Sequence, residues 1–241
     1  MAKKPGRGVC VHCLKEVEKR NWDHVLPVSW YPDTTPQNLE KWKIPTCKPC
    51  NDAYGKLEED FGMLLSLCVN PNIPQSSGIY KKLVRAFDPS CGKNEKDRKA
   101  REKKRSALRQ KLMHGEEIPD HGIYPGLDAK FDLPKEEQMA VPVPASYFER
   151  LGEKIVRGVT YIESGLFIDP QFSIKTHIVN EHGAVGFEEA LHKFGQSLSC
   201  GPGIAVNRAM MEEDKIAGIY KITIWQEFIL YLTVSPINIG A

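Results

Sequence analysis

Long apolar runs are missing from this 241-residue chain: nothing approaches the roughly 18 consecutive apolar residues of a membrane helix, and the stretch nearest to it is broken by Gln226 and Glu227. The first ten residues carry charge but no apolar core, which predicts no secretory signal and a cytoplasmic location. No internal repeat is present. Net charge is small, because 33 Lys and Arg face 31 Asp and Glu and leave +2. Three of the seven cysteines, Cys68, Cys91 and Cys200, lack paired spacing and read as buried or incidental thiols. What remains is an ordinary hydrophobic content on a length sufficient for two modest cores.

The other four cysteines form two C-x-x-C pairs, Cys10-Val-His-Cys13 and Cys47-Lys-Pro-Cys50. Each short pair lets two thiolates reach one ion from a single tight turn, which is the ligand set of a closed tetrahedral Zn²⁺ site. Without a signal peptide the spacing favours metal over disulfide. His12, inside the first knuckle, reads as a bystander. Between the pairs lies Trp22-Asp23-His24-Val25-Leu26-Pro27, and Asn51 follows the last cysteine directly. A carboxylate, an imidazole and an amide brought together by a zinc staple suit phosphodiester hydrolysis. His24 can take a proton from water, and oxygen ligands from Asp23 and Asn51 suit Mg²⁺ or Mn²⁺. Adjacent residues on a regular strand point to opposite faces, so a bend or bulge is expected at Asp23-His24.

Together with Gln37-Asn38-Leu39 and Lys56, this run resembles the HNH endonucleases in their zinc-bearing ββα-metal form, over residues 8–62, about a quarter of the chain. The resemblance implies that His24 is the general base, that Asp23 binds a catalytic divalent cation, and that Asn51 supplies a further metal ligand. It also implies that Asn38 steadies the loop carrying the base. Asn51 stands where many members have His, a variant the family also uses, which leaves Mg²⁺ against Mn²⁺ open. A phage-defence or mobile-element setting is a weaker implication of the same likeness. The reading from another class is a zinc-organised module that binds nucleic acid or protein without cleaving it.

Charge is divided sharply along the chain. Residues 1–111 hold 23 Lys and Arg against 13 Asp and Glu, whereas residues 112–241 hold 10 against 18. A basic front half supplies a field that attracts phosphate, and an acidic back half would be repelled by the same polymer. Residues 93–111 concentrate 10 basic and 3 acidic side chains without Gly or Pro, which predicts a basic helix. Lys103, Lys104 and Arg105 on it, and Lys56, are the candidate DNA contacts. A merely solvated helix is the alternative, and RNA in place of DNA stays open.

The expected class is α+β, in three parts: a zinc-stapled nuclease domain at 1–92, a basic helical segment and linker at 93–139, and an accessory domain with an antiparallel sheet at 140–241. In the first, a helix from Asn51 to Leu67 places Leu57, Phe61, Leu64 and Leu65 on one face. In the last, Ser146-x-x-Glu149 reads as a capping box and Gly158 as the helix stop. A hairpin about Glu163-Ser164-Gly165 should follow, then strands at 172–179, 204–210, 220–225 and 228–234 and a short helix at 187–194. Trp225, Phe228, Tyr231 and Leu232 read as core. No catalytic constellation appears there, so this domain is expected to carry a protein partner or a homodimer interface.

Overall fold

The computed structural model describes residues 4–125 and 134–237. Its architecture is α+β. Two short antiparallel ribbons open the chain: β1 (Gly8–Val9) with β2 (Glu16–Val17), then β3 (Asn21–His24) with β4 (Lys43–Thr46). Helix α1 (Lys48–Leu65) follows at once, with Pro in its first turn, where the missing N–H is not needed. Leu57, Phe61, Leu64 and Leu65 repeat at helical spacing and are all buried. Helices α2 (Ile79–Phe87) and α3 (Glu95–Arg109) come next, and α3 has no buried residue, as its composition predicts. The Asn94 side chain caps α3 by accepting from Asp97 N. A small ribbon of β5 (Met113–His114) with β6 (Met139–Ala140) leads to the second half.

That half holds α4 (Ala145–Ser164), β7 (Phe172–His177), α5 (Glu181–Phe194), β8 (Gln196–Ser199), β9 (Ile204–Met211), β10 (Asp214–Ile224) and β11 (Phe228–Pro236). The five strands form one antiparallel sheet in the order β7-β11-β10-β9-β8. Expected strands at β7, β9, β10 and β11 are present, and Trp225, Phe228, Tyr231 and Leu232 are all buried. The polar edge strand β8 had no sequence signal.

Three expectations about α4 fail, the first two for one reason. Helix α4 does not stop at Gly158 but runs on to Ser164, so the hairpin expected about Glu163-Ser164-Gly165 is helix and its exit. Gly158 is an approach point. A Cβ there would lie 2.8 Å from the Val25 methyls, on the segment that leaves β3. The true stop is Gly165, at φ 72°, in the left-handed region that glycine enters most cheaply. The cap at the other end is Pro144, with no side-chain bond from Ser146.

The consequence is a single hydrophobic cluster drawn from both halves of the chain. Val25, Leu26, Trp30 and Phe61 from the first half pack in it with Phe148, Leu151, Ile155 and Val159 of α4 and Ile222, Trp225 and Leu230 of the sheet. The tip of the β10–β11 hairpin seals the joint: Trp225, fully buried, donates from Nε1 to Trp30 O at 2.8 Å. Trp225 and Gln226 hold φ values of 51° and 62° in that turn, a left-handed backbone that side-chain-bearing residues adopt only at a cost.

Candidate active site and metal centre

The knuckle at Cys10–Cys13 and the start of α1 bring four free thiols together. The Sγ atoms of Cys10, Cys13, Cys47 and Cys50 all lie within 4.8 Å of one another, and Cys13 and Cys47 are 3.8 Å apart. Tetrahedral Zn²⁺ with bonds of about 2.3 Å sets its sulfurs roughly 3.8 Å apart, so this cluster could hold a zinc ion. The surroundings favour thiolate at one corner. Burial works against ionising Cys10, but the backbone N–H groups of Cys13, Cys47 and His12 outweigh it and draw the thiol below its ordinary range. Burial pushes Cys47 and Cys50 upward. Four crowded sulfurs cannot all be anionic without a cation among them, and a metal removes that conflict.

One turn away, β3 runs straight past the site. Asn21, Trp22, Asp23 and His24 pair in unbroken register with Thr46, Pro45, Ile44 and Lys43, so the bulge expected at Asp23-His24 is absent. The two side chains therefore separate in environment. Asp23 turns inward and is buried; His24 stays half-buried.

Asp23 has a partner on each oxygen. Its Oδ2 faces His12 Nε2 at 3.2 Å, and its Oδ1 accepts from Lys154 Nζ at 3.1 Å. Lys154 comes from the middle of α4 and is wholly buried. It also donates to His24 O at 2.6 Å and to Glu58 of α1, so all three of its protons are used. Burial raises the Glu58 carboxyl above its ordinary range, with Lys154 pulling the other way. His12, packed on the Tyr54 ring at 4.5 Å between centroids, is depressed by burial against the pull of Asp23. Its Nδ1 is buried with no hydrogen-bond partner, so the neutral ring donates to Asp23 through Nε2. The knuckle residue read as a bystander thus ties the cysteine cluster to Asp23.

His24 opens on the other side, into a cleft of about 440 Å³ whose lining includes Trp22, Asp23, His24, Asn51, Glu58 and Lys104. Burial lowers the His24 pKa, and Lys43, its direct cross-strand neighbour, lowers it further, with lesser help from Lys154 and Lys41 against Asp23. The imidazole is held in its neutral form near pH 7, the form that accepts a proton. Asn51, in the first turns of α1, donates from Nδ2 to Trp22 O at 3.3 Å, which leaves its amide oxygen as a ligand atom. Asp23, His24 and Asn51 are therefore brought to one cleft.

Other expected site residues sit differently. Asn38 lies in an exposed turn outside the cleft lining. Lys56 is exposed on α1 and also outside that lining. Of the three basic residues on α3, Lys104 reaches the cleft and pairs with Glu59, Lys103 is exposed, and Arg105 pairs with Glu102 at 2.7 Å. Sequence reasoning missed Lys154, Glu58 and Lys43. A signal existed for the first: Lys154 falls three residues after Leu151 and one before Ile155, a charge set into the apolar face of a helix.

Among the described residues no helix is long and apolar enough to cross a membrane, and the cysteine quartet is the only group of three or more His, Cys, Asp or Glu placed to share a metal. Comparison of the chain with models of known families, with curated proteins and with solved structures finds no match.

Proposed function

We propose that this chain is a divalent-metal-dependent endonuclease of the HNH type that hydrolyses phosphodiester bonds in DNA. The observation that carries the reading is the neutral His24 imidazole, opening into the same cleft as Asp23 and Asn51 behind a four-thiol staple. β3, β4 and α1 follow one another in the order of a ββα-metal unit, which adds support.

In this reading His24 takes the proton of a water molecule as its oxygen attacks phosphorus, and the bond to the leaving oxygen breaks. Asn51 Oδ1 and the cleft-facing edge of Asp23 would hold Mg²⁺ or Mn²⁺, oxygen donors that suit a hard cation. The bound cation supplies charge neutralisation on the phosphate. Lys41 and Lys43 beside His24 favour an approaching phosphate and keep the imidazole unprotonated. Lys104 trades Glu59 for a phosphate oxygen at the rim. The thiol quartet would hold Zn²⁺, which would fix the start of α1 and so the position of Asn51.

One observation favours the second reading, a binding module without cleavage: both oxygens of Asp23 already have protein partners. Nicking of supercoiled plasmid with Mg²⁺ or Mn²⁺ separates the two. The wild type should cut, and His24→Ala should lose most of that activity while keeping its zinc and its affinity for DNA. A wild type that binds the plasmid and leaves it intact under both metals refutes the nuclease.

A further inference from the structure

Lys154 is the least expected group in the molecule. A fully buried ammonium is costly to desolvate, and it persists only where partners satisfy it. Here the partners are the two acidic side chains on the inner wall of the cleft and the main-chain carbonyl of the base. It reaches them across 131 residues of sequence from Asp23, from a helix that no motif connects to the site.

We propose that Lys154 is a positioning residue of the nuclease site, a resident cation that aligns Asp23 with His24 and keeps the site from taking a divalent metal tightly until a nucleic-acid phosphate arrives. This role rests on the nuclease reading above, and charge balance is its physical basis. Asp23 and Glu58 bring two negative charges and Lys154 one positive, so the cluster carries −1. A divalent cation alone leaves +1 in a partly buried site, and a phosphodiester then restores neutrality. Metal and nucleic acid each raise the other's affinity, by the same factor in both directions. Removing the lysine leaves two largely buried carboxylates with no cation between them, a demand that a divalent cation meets without help.

The size of the effect follows from Coulomb's law. An ammonium about 5 Å from a divalent cation repels it by a factor of roughly 15 in affinity even at the dielectric constant of water, and by more where the pocket excludes water. The lysine also orients the strand, through His24 O, so its loss should slow catalysis while strengthening the metal site. A purely structural lysine would move neither metal affinity nor its response to DNA.

The test reads Mn²⁺ rather than cleavage. Zinc-loaded wild type and Lys154→Met are titrated with Mn²⁺ while free Mn²⁺ is followed by electron paramagnetic resonance, with and without a short DNA duplex. The variant should bind Mn²⁺ at least about tenfold more tightly than wild type without DNA. The duplex should tighten Mn²⁺ binding about tenfold in wild type and distinctly less in the variant. A folded variant with wild-type or weaker Mn²⁺ affinity overturns the proposal, as does the absence of Mn²⁺ binding in both proteins. Lys154→Gln, which keeps hydrogen bonds to the two carboxylates, replaces the methionine variant if that fails to fold. If neither folds, the wild type decides: Mn²⁺ affinity indifferent to DNA overturns the proposal. Intact plasmid beside the expected Mn²⁺ behaviour refutes the nuclease reading alone, whereas cleavage by wild type with Mn²⁺ affinity unmoved in the variant refutes only the role of Lys154.

Discussion

Replacing Gly55 by alanine should make the protein more stable and less active. Gly55 lies in the interior of α1, where glycine costs roughly 0.5–1 kcal/mol relative to alanine because its backbone loses more freedom on folding. Packing offers no reason for that cost. A Cβ built at Gly55 has nothing within 4 Å, whereas one at Gly62, two turns on, would lie 2.2 Å from the Trp30 indole nitrogen. Gly62 is a packing glycine; Gly55 faces the cleft, one turn after Asn51. On the nuclease reading, this bare stretch of helix, which lines the same cleft as His24, would let a phosphate backbone come closer than any side chain allows. At about 2–4 °C per kcal/mol for a protein of this size, Gly55→Ala should raise Tm by roughly 1–4 °C. Displacing the scissile phosphate by about 1 Å costs up to a hundredfold in rate, so kcat/KM on plasmid should fall by roughly ten- to a hundredfold. Thermal melts and initial nicking rates on zinc-loaded protein measure both. A variant that melts higher and cuts at the wild-type rate refutes the reasoning about substrate approach, and one that melts lower refutes the open helix face.

Removal of the cysteine cluster's metal should unfold rather than slow the protein, since structural zinc contributes on the order of 10 kcal/mol to folding in small modules. One zinc per chain should be found by elemental analysis, and Cys47→Ser should lose it together with the near-ultraviolet circular dichroism of Trp30; a metal-free chain with native circular dichroism would count against the staple. Neutralising Lys103, Lys104 and Arg105 together should lower the slope of log affinity against log salt by about 0.9 for each phosphate no longer neutralised. Because Lys104 and Arg105 are already paired with Glu59 and Glu102, the fall should be smaller than that of three free cations in binding curves at several salt concentrations, and an unchanged slope would make α3 a solvated helix only.

What the sequence disclosed and what it hid divide along the range of the interactions involved. The apolar spacing of Leu57, Phe61 and Leu64 is a local property, and α1 follows from it. The two C-x-x-C pairs announce a four-sulfur cluster because two residues between thiols fix their geometry almost without context. Gly158 misled because glycine is a weak signal whose meaning is set elsewhere: the Val25 side chain, far away in sequence, demands it, and α4 tolerates it. The expected bulge at Asp23-His24 rested on both side chains serving one ligand shell. The regular strand gives them separate tasks, Asp23 toward Lys154 and His12, His24 toward the cleft. Lys154 itself was hidden by its distance in sequence, although a charge in the apolar register of α4 was visible.

The buried hairpin tip carries a consequence for the order of synthesis. Trp225 closes over Trp30 from 195 residues further along the chain, and Lys154 reaches Asp23 only after α4 has emerged from the ribosome. A growing chain exposes its early segments first and folds them as partners become available. β3 can form early, but Asp23 has no cation until Lys154 has been made, and the floor of the cleft has no cover until Trp225 has. On the nuclease reading, a nascent chain that has not yet reached Trp225 therefore lacks the floor of its cleft. On that reading, closure of the β10–β11 hairpin over Trp30 would be the safety catch.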